Sequence, residues 1–238
     1  MKLTFLNYLF VLSIFIVSCS QENQTPQSPV TNQIRSSQNA YAGGLLLGKP
    51  FLISEIKYPA NGWYARSGVL SAYNDKGQPL YANIYTVFNL SNNRTQLPDA
   101  FSITAPSVDF SFLPHVLAAS DYYETYDFKQ LFTVGKKKIA FGTSFSEVGF
   151  GELQDGFSID FISTEYGNAI NERFVSSRFG KQDEKSSFEI SSITVHSSYE
   201  ITVNYKINCK MYNEKGKYLG DLVNGEVRVK HTKGQLSW

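Results

Sequence analysis

Cysteine, methionine, tryptophan and net charge are all scarce in this chain. Its 238 residues include 2 Cys, 2 Met and 2 Trp. With so few cysteines, no disulfide framework is available to hold the fold together. The 22 basic and 21 acidic side chains nearly cancel, which argues against a nucleic-acid partner and against a basic membrane-surface patch.

Motifs for catalysis and for cofactor binding are also missing. The sequence contains no Gly-x-Ser-x-Gly elbow, no phosphate-binding loop, no dinucleotide fingerprint and no His-Glu-x-x-His pair. The three histidines, His115, His196 and His231, are isolated from one another, and none has a cysteine or carboxylate at ligand spacing. The sequence therefore predicts surface or hydrogen-bonded histidines, no metal and no cofactor.

The first 18 residues have the character of a secretory signal. Lys2 precedes an apolar stretch from Leu3 to Val17, which is shorter than the about 20 residues of a membrane-spanning helix. The tetrad Ile16-Val17-Ser18-Cys19 follows, and then a polar run begins at Ser20. This arrangement resembles the lipobox of bacterial lipoproteins, in which the cysteine marks the cleavage site.

The lipobox resemblance implies that Cys19 becomes the lipidated first residue of the mature protein. Its acyl chains would make the lipid bilayer a permanent partner, because stable anchoring needs more than one chain. Ser20, rather than Asp, follows the cysteine, which favours an outer-membrane lipoprotein under the enterobacterial sorting rule. Whether the protein faces the periplasm or the cell surface stays open.

Residues 19–42 are predicted to be a disordered tether behind the lipid, because they contain few apolar side chains. Residues 43–238 are predicted to form a single β-domain, with two small β-domains divided near 113–135 as the alternative. The 15 Tyr and 18 Phe suit pleated, half-buried surfaces. Cys209 lies in an alternating apolar run, which favours a buried free thiol.

Strand-like runs recur throughout the predicted domain. The clearest alternate at period two over Ile201–Met211 and Leu222–Val229, and the Asn213–Gly216 turn between them predicts a hairpin. A similar octamer, Tyr73–Leu80, predicts a second hairpin. The remaining predicted strands are Phe51–Ile56, Gly68–Tyr73, Tyr81–Asn89, Ala100–Ile103, Lys138–Phe145, Gly156–Ser163 and Ser187–His196.

These runs predict an all-β fold, either an antiparallel β-sandwich or a partly open barrel. Leu113–Phe132 interrupts the pattern and predicts a short helix or a long loop. From Phe188 to Val229 the sequence is similar to small Bacteroidetes lipoproteins in families of unknown function. That resemblance implies a β-sandwich in the cell envelope and carries no activity.

The densest cluster of potential ligand-binding residues lies within residues 113–132. Its members are three acids and three tyrosines: Asp121, Tyr122, Tyr123, Glu124, Tyr126 and Asp127. The aromatic rings suit glycan binding, and paired carboxylates are what a glycosidase needs. A solvated loop with tyrosines on the rim of the domain is the alternative.

The sequence as a whole indicates a membrane-anchored, non-enzymatic binding or interaction module that engages a glycan or an envelope protein. Two alternatives remain. One is a polysaccharide hydrolase that uses carboxylates near 121–127. The other is a structural accessory subunit whose sheet edges dock onto an envelope complex.

Overall fold

A computed structural model of the chain describes residues 28–37, 40–54, 63–73, 79–90, 100–106, 108–109, 131–142, 155–162 and 174–232. For residues 63–73, 79–90, 100, 108–109 and 162 it gives the backbone only. Within these ranges the chain forms the five-residue helix α1 (Asn32–Ser36), Leu131 is also helical, and there is no helix long and apolar enough to span a bilayer.

The all-β prediction is confirmed. The described strands are β1 (Tyr41–Leu46), β2 (Lys49–Ser54), β3 (Trp63–Tyr73), β4 (Pro79–Leu90), β5 (Ala100–Thr104), β6 (Val108–Asp109), β7 (Gly135–Lys137), β8 (Ser158–Ile162), β9 (Phe174–Ser176), β10 (Ser187–Val195), β11 (Glu200–Asn213) and β12 (Tyr218–Thr232). Between Leu113 and Phe132, only Leu131 and Phe132 lie within the described residues. The predicted helix or loop there is therefore outside them.

These strands form one antiparallel sheet in the order β2-β1-β12-β11-β9-β8-β5-β4-β3. β10 pairs with the first part of β11 and with β7, while β6 pairs with β4. The sheet is open, with β2 and β3 at its ends. It curls over, so that β12 lies close to β3 and β4 without pairing with them.

One hydrophobic core fills the inside of this curl. Phe161 of β8 packs edge-on against Phe51 of β2, with ring centroids 5.3 Å apart. The ring centroid of Phe157, just before β8, lies 5.5 Å from that of Phe188 of β10. These contacts join strands that are not neighbours in the sheet, so burial of aromatic rings closes the fold.

The β11–β12 hairpin follows the predicted pattern closely. The six alternate side chains from Ile201 to Met211 are each at most 3 % exposed. The turn is closed by a hydrogen bond from Gly216 N to Asn213 O of 2.9 Å, and Gly216 has a φ of 74°. A left-handed conformation of this kind is the reason that glycine is favoured there.

On β12 the predicted alternation is wrong at one point. Alternation at period two places Val223 on the apolar face with Val227 and Val229, but Val223 is 39 % exposed, whereas Leu222 is fully buried. The register shifts beside Ile207 and Cys209, and Asn224 has a φ of 51°. A β-bulge therefore turns Val223 outward, because the extra residue reverses the faces of the strand.

Most of the other predicted strands are present with shifted ends. β3 and β4 form the second predicted hairpin, although its turn, residues 74–78, lies outside the described residues. The prediction of a strand from Lys138 to Phe145 is wrong over residues 138–142. The strand β7 instead ends at Lys137 and is followed by an isolated bridge from Ile139 to Phe157.

Within the predicted tether, residues 28–37 and 40–42 are described, and they pack on the sheet. α1 begins after Thr31, whose side chain caps the Ile34 amide, and β1 begins at Tyr41. Val30, Ile34, Tyr41 and Leu52 form a small apolar cluster of their own. The described folded part therefore begins before residue 43, because these few apolar side chains are buried against the sheet.

Candidate functional site

A compact group of aromatic and charged side chains lies at the turn end of the β11–β12 hairpin; its Tyr212 is buried, and the other four reach solvent. We call it the hairpin patch, and its members are Asp183, Lys210, Tyr212, Tyr218 and Asp221. Lys210 and Asp221 are cross-strand partners, as are Tyr212 and Tyr218. Asp183 comes from the loop between β9 and β10. Pairing of β11 with β12 thus places four of the five side chains.

Tyr218 is at the centre of the hairpin patch and is 46 % exposed. Its hydroxyl donates to Asp221 Oδ1 at 2.9 Å, and Lys210 Nζ lies 4.7 Å from its ring centroid. Tyr212 packs edge-on at 5.8 Å between centroids. The ring is therefore held from three directions and still reaches solvent.

The charges of the hairpin patch are paired. Lys210 Nζ lies 3.2 Å from Asp183 Oδ2. Its hydrogen bond with Asp183 is the main cause that raises the pKa of the lysine and lowers the pKa of the aspartate. The hydrogen bond to Asp221 raises the pKa of Tyr218. At neutral pH Lys210 is therefore an ammonium, Asp183 a carboxylate and Tyr218 an intact phenol.

A side-chain amide fixes the loop that carries Asp183. Gln182 accepts from Lys210 N at 2.8 Å and donates to Lys210 O at 2.9 Å and to Ser177 O at 2.6 Å. Lys210 lies between the part of β11 that pairs with β10 and the part that pairs with β9. Gln182 thus substitutes for a strand where the ladder has a gap.

The loop that carries Asp183 also contacts the ring and the hydroxyl of Tyr212. The Tyr212 hydroxyl donates to the Lys181 carbonyl. A Cβ on Gly180 would lie 2.2 Å from the Tyr212 ring, so only glycine fits beside that ring. The main cause that raises the pKa of Tyr212 is burial.

Outside the hairpin patch, β8 carries a buried carboxyl, that of Asp160. Asp160 is 4 % exposed, and it accepts a hydrogen bond from Ser176 Oγ. Arg178 Nε approaches its Oδ1 to 3.7 Å, which is beyond hydrogen-bonding distance. Burial raises the pKa of Asp160, and Arg178 and two serine hydroxyls offset part of that rise.

The remaining buried titratable groups are part of the core. Burial lowers the pKa of His231 to about 3 and raises that of Cys209. Cys209 is a buried free thiol, as predicted. His231 is fully buried beside Tyr205, whereas His196 is exposed and lies 2.8 Å from Thr202 Oγ1. Both histidines therefore match the predicted surface or hydrogen-bonded roles.

The other predicted site residues lie outside the described residues. They are the lipidation site Cys19, the cluster Asp121, Tyr122, Tyr123, Glu124, Tyr126 and Asp127, and the third histidine, His115. Their roles stay predictions. Among the described residues, no three His, Cys, Asp or Glu side chains are grouped closely enough to bind a metal ion.

Sequence reasoning missed the hairpin patch, although part of its signal was available. Tyr212 and Tyr218 flank the Asn213–Gly216 turn directly, so a hairpin there brings the two rings together. Asp183 and Gln182 gave no such signal, because their position depends on the packing of a loop against β11.

Comparisons of the chain with protein-family models, curated proteins and solved structures gave no match.

Proposed function

We propose that this chain is a membrane-anchored, non-enzymatic binding module, tied to the outer membrane through Cys19. The hairpin patch is its ligand surface, and its ligand is a carbohydrate of the cell envelope or its surroundings. The observation that carries the proposal is Tyr218, which is 46 % exposed between Lys210 and Asp221.

The chemistry of the hairpin patch suits a sugar. A sugar ring offers apolar C–H groups that contact an aromatic ring, and hydroxyls that donate to carboxylates and accept from an ammonium group. The Gln182 contacts fix the backbone beneath the patch, which lowers the entropy lost on binding. The predicted aromatic cluster at Tyr122, Tyr123 and Tyr126 would extend the same type of surface.

The charge states of the described carboxyls favour binding over hydrolysis. Glycoside hydrolysis needs one carboxylic acid that keeps its proton near neutral pH. Lys210 holds Asp183 in its ionised form, because their hydrogen bond lowers the pKa of the acid. Asp160 has a raised pKa, but its carboxyl is buried beneath Ser176 and Arg178. Asp183 and Asp160 therefore do not form the acid and nucleophile pair of a glycosidase.

The membrane anchor is tested by comparing the full chain with its Cys19→Ser variant. Acyl chains contribute about 0.8 kcal/mol per buried methylene. We expect a radiolabelled fatty acid to be incorporated into the native chain and not into the variant, whose cleavage-site cysteine is missing. An unlabelled native chain, or a variant labelled to the same extent, would rule out the lipid anchor at Cys19.

The ligand class is tested with a glycan array probed by the full chain. A fragment that starts at residue 43 is unsuitable, because it lacks Tyr41 and Ala42 of β1 and the cluster around Val30 and Ile34. Alanine at Tyr218 tests the hairpin patch, and alanine at Tyr122, Tyr123 and Tyr126 tests the predicted cluster. A chain that binds no glycan, or one that cleaves the glycan it binds, would contradict the proposal.

A further inference from the structure

In the part of the chain that the structure describes, the second half of β10 has a strand on one side only. β10 pairs with β7 only through Phe188, Glu189 and Ile190, and within the described residues no strand continues beside Ser191–Val195. Ser192 and Thr194 are exposed, and Val195 is 54 % exposed. Among the described residues, this segment therefore has an unpaired backbone edge on one side and β11 on the other.

Hydrogen bonds between β10 and β11 show which backbone groups of β10 point away from β11. His196 N donates to Glu200 O, and Ser191 Oγ donates to Asn204 O, so Glu200 and Asn204 direct their carbonyls toward β10. Backbone direction alternates along a strand. With Val195 opposite Ile201 and Ile193 opposite Val203, the N–H and C=O groups of Ile193 and Val195 point away from β11.

The segment also lacks the features that normally protect an edge strand. From Ser191 to Tyr199 there is no Lys, Arg, Asp, Glu or Pro. β7, by contrast, carries Lys136 and Lys137. Exposed apolar side chains lie at both ends of the open edge. Val134, just before β7, is 63 % exposed, and Tyr199, in the turn after β10, is 49 % exposed.

We infer that this edge pairs with the same edge of a second copy of the chain, antiparallel and about a two-fold axis at Thr194. Ile193 of one copy then exchanges both backbone hydrogen bonds with Val195 of the other copy, and the reverse pair does the same. A two-fold contact requires a self-complementary surface. This edge meets that requirement, because Ile193 and Val195 are both β-branched and no like charges face each other.

A second copy fits this edge better than a charged partner does. A peptide with acidic or basic side chains would find no opposite charge between Ser191 and Tyr199. Pairing of two copies buries Val195 against the partner's Ile193 and joins the two sheets into one. The pairing does not involve the hairpin patch or Cys19, so its test is independent of the test of the proposed function.

Disulfide cross-linking tests the inferred register. In this register the two Thr194 residues face each other as a non-hydrogen-bonded pair with Cα atoms about 4.5 Å apart, which suits a disulfide. Ser192 lies two residues away on the same outward face, and its two copies are separated by about 13 Å. Thr194→Cys and the matched control Ser192→Cys are therefore made in the full chain, purified in detergent and oxidised.

We expect at least tenfold more cross-linked dimer from Thr194→Cys than from Ser192→Cys. The unsubstituted chain gives the baseline for Cys19 and for Cys209, which is buried. No dimer above this baseline, or equal dimer from both variants, would overturn the inference. A cross-linked product whose mass is not twice that of the chain would show that this edge binds a different protein, and it would also overturn the inference.

A substitution at Val195 tests the backbone contact itself. In the Thr194→Cys chain, Val195→Pro removes an N–H that points to the open edge and leaves the bonds to β11 in place. Val195→Thr keeps that N–H with a side chain of similar shape. We expect proline to reduce the cross-link at least tenfold and threonine to retain it, with thermal unfolding confirming that both variants fold. An undiminished cross-link in the proline variant would exclude strand pairing.

Discussion

The Tyr205 hydroxyl lies 2.6 Å from His231 Nε2 inside the hydrophobic core. Tyr205 is 1 % exposed and His231 is fully buried, and Phe132 stacks 4.6 Å from the imidazole. The two residues are on adjacent strands, β11 and β12. This polar contact therefore lies inside the core, where buried polar groups need hydrogen-bond partners.

Removal of the Tyr205 hydroxyl should destabilise the protein. In Tyr205→Phe the ring packing is kept, but His231 Nε2 loses a buried hydrogen bond, which costs about 1–3 kcal/mol. Chemical denaturation measures the difference, and Tyr199→Phe on the exposed turn serves as the control. An equal stability of both variants would show that the buried bond contributes nothing.

His231 should make stability depend on pH between about 6.5 and 5. Burial lowers its pKa to about 3 in the folded state, so the unfolded chain binds the proton first as the pH falls. The stability that neutral His231 contributes is thus fully present above the unfolded pKa of about 6.5, and it decreases as the pH falls toward the folded pKa of about 3. At pH 5 the loss is about 2 kcal/mol.

The matched variant for this pH dependence is His231→Gln, which has no titrating group. Asp160 acts in the opposite direction, because its raised pKa favours folding as the pH falls. It is present in both proteins, so it cancels in their difference. If the native chain and the glutamine variant lose the same free energy of unfolding from pH 7 to pH 5, His231 is not the cause.

The Gln182 amide should be needed for the order of the loop beneath the hairpin patch. Gln182→Glu keeps an acceptor for Lys210 N but removes the donor to Ser177 O and Lys210 O. We expect hydrogen exchange at residues 177–183 to become at least tenfold faster. The neighbouring exposed change Glu184→Gln is the control, and equal exchange in both variants would exclude the proposed role of the amide.

Local sequence patterns predicted β11 and its turn well. Six apolar residues at period two specify one buried face, and Gly216 supplies the positive φ that the turn requires. The β12 bulge was not predictable in this way, because an alternating pattern does not show that Asn224 adopts a positive φ. Local composition explains the strands but not their irregularities.

Long-range contacts account for the other differences. Residues 28–42 are mostly polar, yet Arg35 binds Glu226 across 191 residues of sequence and Arg228 donates to the Ser37 carbonyl. The hairpin patch likewise joins Asp183 to a distant hairpin. Composition identifies polar segments, but it does not show which strand will bind them.

The contact between Arg35 and Glu226 should hold the N-terminal segment on β12. Arg35 donates from Nε and from Nη2 to the two carboxylate oxygens, at 2.7 and 2.6 Å. Its side chain is 40 % exposed and that of Glu226 is 24 % exposed, so solvent screens the pair, and we expect a coupling energy of about 0.5–1 kcal/mol. A double-mutant cycle with Arg35→Ala and Glu226→Gln measures it.

The control for that cycle is the more exposed pair Lys230–Glu200, which is joined by one contact of 3.1 Å. Its coupling energy should be smaller, because a single contact between exposed groups gives little stabilisation. Equal coupling in the two cycles would show that the bidentate geometry has no special role in holding residues 28–37.

The most direct test of the proposed function compares two variants of the full chain in their affinity for the glycan. Each variant has one of two similarly exposed tyrosines replaced. Tyr218 is 46 % exposed in the hairpin patch, and Tyr199 is 49 % exposed in the β10–β11 turn. Calorimetric titration should show at least tenfold weaker binding for Tyr218→Ala, and unchanged binding for Tyr199→Ala. Unchanged binding in Tyr218→Ala would contradict the hairpin patch as the ligand surface.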